Sequence, residues 1–276
     1  MTIIFGLIQA TPGDFISAMI GPETTQDQID ALYEQWGVND PLWQQYIDYM
    51  INYQTLEFGR SPFYGEDAAD LIIRRLPRTL TLFGAAFLIG YVVGPLVGMY
   101  LGWWRGTRKD KSVFAGGLLM FSMPAFWIAW LGIWLFNYNL GVFPSRYMFT
   151  QFPSFESWTI LRTITDVLRH IALPLGSLAF VGWVGSMLVM RPNMINVTEQ
   201  DYVFLAHAKG LSERTVMIKH AARNALLPVA TQAIVGIAFI IDGSVIIEQV
   251  FSWPGIGLTL VDAVFNNDYP SADPIR

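Results

Sequence analysis

The sequence predicts an all-α protein, a bundle of helices that crosses a membrane several times. Of its 276 residues, 53% are hydrophobic and only 14% are charged, whereas soluble domains carry about 25% charged residues. The second observation is a set of long uncharged windows, because a membrane-spanning helix needs about 20 consecutive apolar residues. The third is that these windows lack the period-two alternation of membrane β-strands. Their backbone groups must then be satisfied within each segment, which requires helices.

Four windows have the length and composition of a membrane span. Three of them contain no charged residue: Thr79–Trp104, Ser112–Phe136 and Ile171–Met190. The fourth, Ala225–Phe251, contains two acidic residues. The first window also carries small residues every four positions, a spacing typical of close helix–helix contacts: Gly94, Gly98 and Gly102.

The windows divide the chain into four segments. Residues 1–13 are predicted to be the remnant of a first transmembrane helix, because Met1–Ala10 is apolar but too short to cross a bilayer. Residues 14–78 form an external segment, residues 79–251 form the transmembrane core, and residues 252–276 form an external C-terminal segment. The core includes a cytoplasmic loop at residues 191–224.

Basic residues place two loops on the cytoplasmic side, because Lys and Arg in short loops mark that side. The loop Arg105–Lys111 holds four of the 17 basic residues, and the loop Arg191–Asn224 holds five. The segment Asp14–Arg78 instead holds 11 of the 22 acidic residues and four basic ones. We therefore expect this segment outside the cell.

Short surface helices are expected outside the membrane. The first begins near Thr24–Asp27, and the second begins at Pro41. A third covers Ala68–Leu76 and ends at Pro77, because a proline inside a helix removes a backbone donor. A fourth lies around Ile160–Leu168.

The cytoplasmic loop has the pattern of two short helices joined by a glycine turn. Glu199–Gly210 forms the first, and Gly210 suits the left-handed residue that closes a helix. Ser212 is the predicted N-cap of the second helix, Glu213–Arg223, and Pro228 begins the next membrane helix. Two interpretations fit this pattern: a stiff knob that couples the membrane helices to a soluble motor, or an amphipathic loop lying on the membrane. The residues alone do not choose between them.

Several classes of function lack the residues that they need. The chain has no cysteine, which excludes disulfides and thiol chemistry, and it has no P-loop for ATP. Its histidines, His170, His207 and His220, lack the spacing of metal ligands. A net charge of −5 argues against a nucleic-acid partner. We expect no catalytic residue, no metal and no cofactor.

Motifs along most of the chain resemble one family. The strings Asp201–Val203, Ala206–Glu213 and His220–Pro228 resemble the "EAA" loop by which permeases of dipeptide, oligopeptide and nickel ABC importers contact their ATPases. His207 stands where that family commonly has Arg. Further strings typical of the family are Ala10–Asp14, Arg75–Leu80, Glu248–Gly257 and Leu260–Ala263. The resemblance implies a set of ATPase-coupling residues: Asp201, Tyr202, Ala206, Ala208, Lys209, Gly210, Ser212, His220, Arg223, Asn224 and Pro228.

The resemblance also implies a function. We expect a multi-pass cell-membrane permease subunit of an ATP-driven importer, in a bundle with a truncated first helix and no last helix. Its implied partners are a second related permease, two cytoplasmic ATPase subunits, an external solute-binding protein and membrane lipid. Peptides are the leading substrate, while nickel and oligosaccharides stay open.

Asp242 is predicted to lie within the membrane. An ionisable residue there is a candidate for function, so Asp242 and Ser244 could line the translocation path, or they could mark a local helix irregularity. Glu248 is expected to contact an adjacent loop or a partner subunit. One alternative function is a secondary transporter or channel not coupled to an ATPase, which would need paired ionisable groups in the membrane. Another is a membrane-embedded enzyme, which would need a cluster of catalytic residues.

Overall fold

In the part of the chain that the computed structural model describes, the regular secondary structure is helical, apart from one isolated antiparallel bridge between Arg60 and Asp67. This confirms the all-α prediction. The chain divides into two units, Met1–Arg78 with Gly255–Arg276, and Thr79–Pro254. The described residues are 2, 5, 6, 9, 25–35, 39–55, 57–61, 63–150, 159–238 and 245–266.

Two helices of the first unit begin where the sequence predicts. In α1 (Gln26–Gln35), the backbone N–H of Thr25 donates to Gln28 Oε1 at 3.0 Å, which is half of a capping box. In α2 (Leu42–Thr55), the carbonyl of Pro41 accepts two backbone N–H groups from the first turn. Both starts are therefore fixed by local hydrogen bonds that the sequence pattern encodes.

One face of α2 packs against residues near the N-terminus. Phe5 lies edge-on to Tyr46 and Tyr49, with ring centroids 5.3 and 5.2 Å apart. Gln9 Nε2 donates to Gln45 Oε1 at 2.7 Å. Of the predicted first-helix remnant, 1–13, the structure describes residues 2, 5, 6 and 9.

α3 (Ala68–Trp103) is a single helix of 36 residues. The prediction of a separate surface helix over Ala68–Leu76 is therefore wrong, because the helix continues through Pro77. Long membrane helices tolerate proline where neighbouring groups satisfy the freed carbonyl. Arg74, near its start, forms an ion pair with Glu66.

Two helices of the second unit lie on either side of a sharp break. α4 (Arg108–Phe121) and α5 (Ala125–Gly132), which continues as a π-helical stretch over Ile133–Asn139, are bent by 100°. The expectation of one continuous helix over Ser112–Phe136 is therefore wrong. Pro124 explains the break, because it disfavours helical backbone in the residue before it.

α6 (Ile160–Thr198) runs for 39 residues. The predicted span Ile171–Met190 lies inside it, but the predicted surface helix Ile160–Leu168 is not a separate element. The residues between these two predicted segments, Arg169 and His170, are compatible with helix and do not interrupt it. By length and composition, α3 and α6 can each cross a membrane, and the bent pair of α4 and α5 can form a third span.

The remaining helices follow α6 in the chain. They are α7 (Asp201–Ala208), α8 (Glu213–Thr215), α9 (Arg223–Ala238), α10 (Val245–Phe251) and α11 (Ile256–Phe265). α9 and α10 occupy the predicted span Ala225–Phe251. Asp242 and Ser244 fall between them, outside the described residues.

α3 and α6 pack closely along an edge of glycines. A Cβ atom on Gly94 would lie 1.9 Å from Ser186 Oγ. On Gly98 and Gly102 it would lie 2.8 and 2.6 Å from the nearest atoms of α6. Ser186 Oγ also donates to the carbonyl of Gly90 at 2.7 Å. The predicted glycine contact is thus confirmed, and it fixes α6, which carries the cytoplasmic loop.

Candidate functional site

The loop after α6 folds as the predicted helix, glycine turn and second helix. α7 begins at Asp201 with Gln200 as its N-cap, and ends at Ala208. Gly210 has a φ of +73°, in the left-handed region that favours glycine. The predicted turn is therefore confirmed.

The second helix of the loop does not end at Arg223 as the sequence suggested. α8 continues without a break through a π-helical stretch, Val216–Ala222, into α9. Pro228 lies inside α9 rather than at the start of a new helix. Ser212 takes the N-cap position, but its hydroxyl bonds the hydroxyl of Thr215 at 2.8 Å instead of a backbone N–H. The loop is consequently continuous with the helix that follows it.

The inner side of the loop is a core of small apolar side chains packed against the end of α6. Ala206, one of the ATPase-coupling residues that the resemblance implies, is buried in this core. Partly buried side chains from α3, among them Met99 and Trp103, pack on the same cluster. The buried members are Met190, Met194, Val203, Ala206, Val216, Ala221, Ala222, Ala225 and Val229.

The outer side of the loop carries most of the predicted coupling residues together with apolar side chains that the sequence analysis missed. Phe204 is 76% exposed, and Leu205 beside it is also exposed. The signal was available, because Val203 and Ala206 are three residues apart and share one face of α7, which leaves Phe204 and Leu205 off that face. The predicted residues that are exposed are Asp201, Tyr202, Ala208, Lys209, Gly210, Ser212, Arg223, Asn224 and Pro228, while His220 is half-buried.

Trp103, the last residue of α3, contacts both helices of the loop. Its indole Nε1 donates to Glu213 Oε1 at 3.2 Å. Its ring stacks on His207 with centroids 6.0 Å apart. His207 thus contacts the end of α3 through its ring and is also exposed.

Two ion pairs join the short loop Arg105–Lys111 to the end of α6. Arg105 pairs with Glu199 at 2.6 Å on the surface. Arg191 donates to Asp110 through Nε at 2.6 Å and Nη2 at 2.9 Å, and its guanidinium lies 4.4 Å from the Phe114 ring centroid. The sequence analysis missed both pairs.

Asp110 has a local role that a motif could have revealed. Its backbone N–H donates to Thr107 Oγ1 at 3.2 Å, and its carboxylate accepts the backbone N–H of Gly106 at 2.8 Å. Thr-x-x-Asp is a capping-box pattern, so the start of α4 could have been predicted from the sequence. The ion pair with Arg191 could not have been predicted, because 81 residues separate the two positions.

The core contains a buried acid, Glu248. It is fully buried and accepts a hydrogen bond from Thr79 Oγ1 at 2.7 Å. Thr79 lies in α3, so this contact is to a helix, and the expected contact with an adjacent loop or a partner subunit stays a prediction.

The arrangement is that of a membrane bundle whose loop is held rigidly and exposes an apolar surface. Residues 94–275 match the family of binding-protein-dependent transport system inner membrane components. The chain belongs to this family. It is 39% identical to a permease protein of Brucella ovis, over 97% of this chain and 83% of that protein.

Two further relatives carry more specific names. The oligopeptide transport system permease protein AppB of Bacillus subtilis is 34% identical, over 96% of this chain and 82% of its own. The di/tripeptide transport system permease protein DppB of Pseudomonas aeruginosa is also 34% identical, over 97% and 83%. The present permease is a multi-pass component of the inner membrane, and its family works with ATPase and binding-protein subunits.

Proposed function

We propose that the permease is one of two related transmembrane subunits of a peptide importer, and that loop 201–224 couples it to the cytoplasmic ATPases. An external solute-binding protein delivers the peptide, which crosses between the two permeases. Two ATPase subunits hydrolyse ATP and drive the change between inward-open and outward-open states. The permease itself carries out no covalent chemistry.

The exposed apolar side chains of α7 carry this proposal. Phe204 and Leu205 lie on the side of the loop that faces away from the α6 core. A cluster of exposed apolar groups on a rigid, water-facing loop is typical of a protein interface. Membrane insertion of the loop would leave the charged residues around it, Asp201 and Lys209 among them, in lipid.

Continuity of the helix supports the transmission of force. Residues from Glu213 to Ala238 form one helix, so a displacement at the loop displaces the membrane part of the same helix. The π-helical stretch at Val216–Ala222 lies where the two parts join, and such stretches occur frequently at functional sites. Trp103 extends the connection to α3.

The substrate class follows from the relatives. Two of them are named as oligopeptide and di/tripeptide permeases, which supports peptides over nickel or oligosaccharides. Asp242 and Ser244 remain our candidates for the translocation path. The alternative of a transporter that is not coupled to an ATPase has no support from the relatives.

The test compares two apolar-to-acidic variants in the assembled transporter. Phe204→Glu should lower the amount of ATPase that co-purifies with the permease and reduce ATP-driven uptake of a labelled dipeptide. Ile160→Glu is the matched control, because Ile160 is 81% exposed at the opposite end of α6, about 55 Å away at 1.5 Å per residue. Equal assembly of both variants, or uptake in liposomes without ATPase subunits, would contradict the proposal.

A further inference from the structure

A surface groove lies between α3 and α4 at the predicted cytoplasmic end of both helices. Its volume is about 370 Å³. Its floor is Leu101, which is 3% exposed and packs on the core, whereas Leu96 at its wall is 56% exposed. The lining residues are Leu96, Val97, Tyr100, Leu101, Lys109, Ser112 and Val113.

The rim of this groove is cationic. Lys109 lines it, and Arg108 lies next to Lys109 at the start of α4. Among the described residues, neither of these two forms an ion pair. The N-terminus of α4 adds partial positive charge, because the helix dipole favours anions there.

The one acidic residue of the rim does not offset this charge. Asp110 is 1% exposed and turned inward, where Arg191 holds it with two hydrogen bonds. The hydrogen bonds that its carboxylate accepts in the described part of the chain come from Arg191 and the Gly106 backbone, and none comes from Lys109 or Arg108. An anion with an apolar body matches both parts of the groove.

We propose that the groove binds an anionic phospholipid of the cytoplasmic leaflet. An acyl chain lies over Leu101 between Leu96 and Val113, and the phosphate contacts the Lys109 ammonium. Basic pockets between membrane helices on the cytoplasmic side bind such headgroups. Lipid bound there links α3 to α4 at the loop that Asp110 anchors to α6.

Native mass spectrometry of the assembled transporter, released from nanodiscs, measures the retained lipid. Wild type should retain phosphatidylglycerol and not phosphatidylcholine. Lys109→Gln should weaken retention about fivefold, the usual contribution of one lysine near an anionic surface. Val113→Trp, which fills the groove, should also lower it.

Two controls are matched to these variants. Lys111→Gln removes the same charge from a residue that does not line the groove, and Leu119→Trp enlarges an exposed α4 side chain away from it. Lys111→Gln should retain more lipid than Lys109→Gln, and Leu119→Trp should retain more than Val113→Trp. The melting temperature of each control should equal that of the wild type. Equal retention by Lys109→Gln and Lys111→Gln would overturn the proposal.

Two other occupants give distinct results. If the groove is a site for free phosphate, inorganic phosphate should displace the lipid completely. That result would overturn the lipid assignment. A protein partner predicts that Val113→Cys, in a chain with no other cysteine, cross-links to the second permease. Retention that resists phosphate, with no such cross-link, supports the phospholipid.

Discussion

Arg191 holds Asp110 through two parallel hydrogen bonds, Nε to Oδ1 at 2.6 Å and Nη2 to Oδ2 at 2.9 Å. Asp110 is almost fully buried, and Arg191 is mostly so. The pair joins the start of α4 to the last part of α6, about two turns before that helix ends at Thr198. It therefore fixes the position from which the proposed coupling loop extends.

Removing the negative charge of this pair should destabilise the permease. Asp110→Asn leaves the Arg191 guanidinium without its counter-ion, and breaking a buried pair costs about 3–5 kcal/mol. We expect the lower end, because Arg191 is partly exposed. Denaturant titration in detergent micelles measures the free energy of unfolding.

The exposed pair of Arg105 and Glu199 supplies the control. Arg105→Gln breaks an ion pair at the surface, where such pairs contribute about 0–1 kcal/mol. Equal losses of unfolding free energy in Asp110→Asn and Arg105→Gln would show that burial of the Asp110–Arg191 pair does not increase its contribution to stability.

The sequence predicts the parts of this site that depend on local chemistry. The left-handed Gly210 and the start of α1 follow from side-chain size and hydrogen-bonding capacity within a few residues. The glycine edge of α3 follows from its spacing. Asp110 and Arg191 are 81 residues apart, and only the tertiary fold brings them together.

Two of the errors in predicted helix boundaries lie at prolines. Pro77 was expected to end a helix but lies inside α3, whereas Pro124 was expected inside a helix but lies at a break. The local effect of the ring is the same in both places. Packing of the surrounding helices decides the outcome, and composition does not report that packing.

A side chain at Gly94 should force α3 away from α6. In Gly94→Ala, the new Cβ would lie 1.9 Å from Ser186 Oγ and 2.2 Å from the carbonyl oxygen of Trp183. The second contact is to backbone, so it cannot be relieved by a rotamer change. We expect a loss of at least about 1–3 kcal/mol, the usual cost of overpacking, as a lower melting temperature.

Gly84→Ala is the control for this variant. A Cβ on Gly84, in the same helix, meets nothing within 4 Å, and alanine has the higher helix propensity. We expect equal or higher stability. A Gly94→Ala protein as stable as Gly84→Ala would contradict the close packing of α3 and α6.

A β-branched residue at Gly210 should weaken ATPase assembly. A Cβ there meets nothing within 4 Å, but φ is +73°, so the effect of Gly210→Val is backbone strain and not a clash. The left-handed conformation costs an L-residue roughly 1–2 kcal/mol, which corresponds to about a 5- to 30-fold loss of assembled complex. Co-purification of the ATPase subunits measures that loss.

Gly210→Asn tests whether backbone strain, and not merely the replacement of glycine, weakens ATPase assembly. Asn enters the left-handed region more readily than other L-residues, so it should restore much of the assembly. If Gly210→Val bound the ATPase subunits as well as the wild type does, the glycine turn would have no role in coupling.

The most direct test of the coupling proposal is a cross-link from the loop. Because the chain has no cysteine, Lys209→Cys places one reactive thiol in the exposed turn between α7 and α8, and Ile160→Cys places one at the far end of α6. Membranes containing the whole transporter are treated with a bifunctional thiol- and amine-reactive reagent. The proposal predicts an adduct with the ATPase subunit from position 209, sensitive to ATP, and none from position 160. No adduct from position 209, in membranes where the transporter imports peptide, would contradict it.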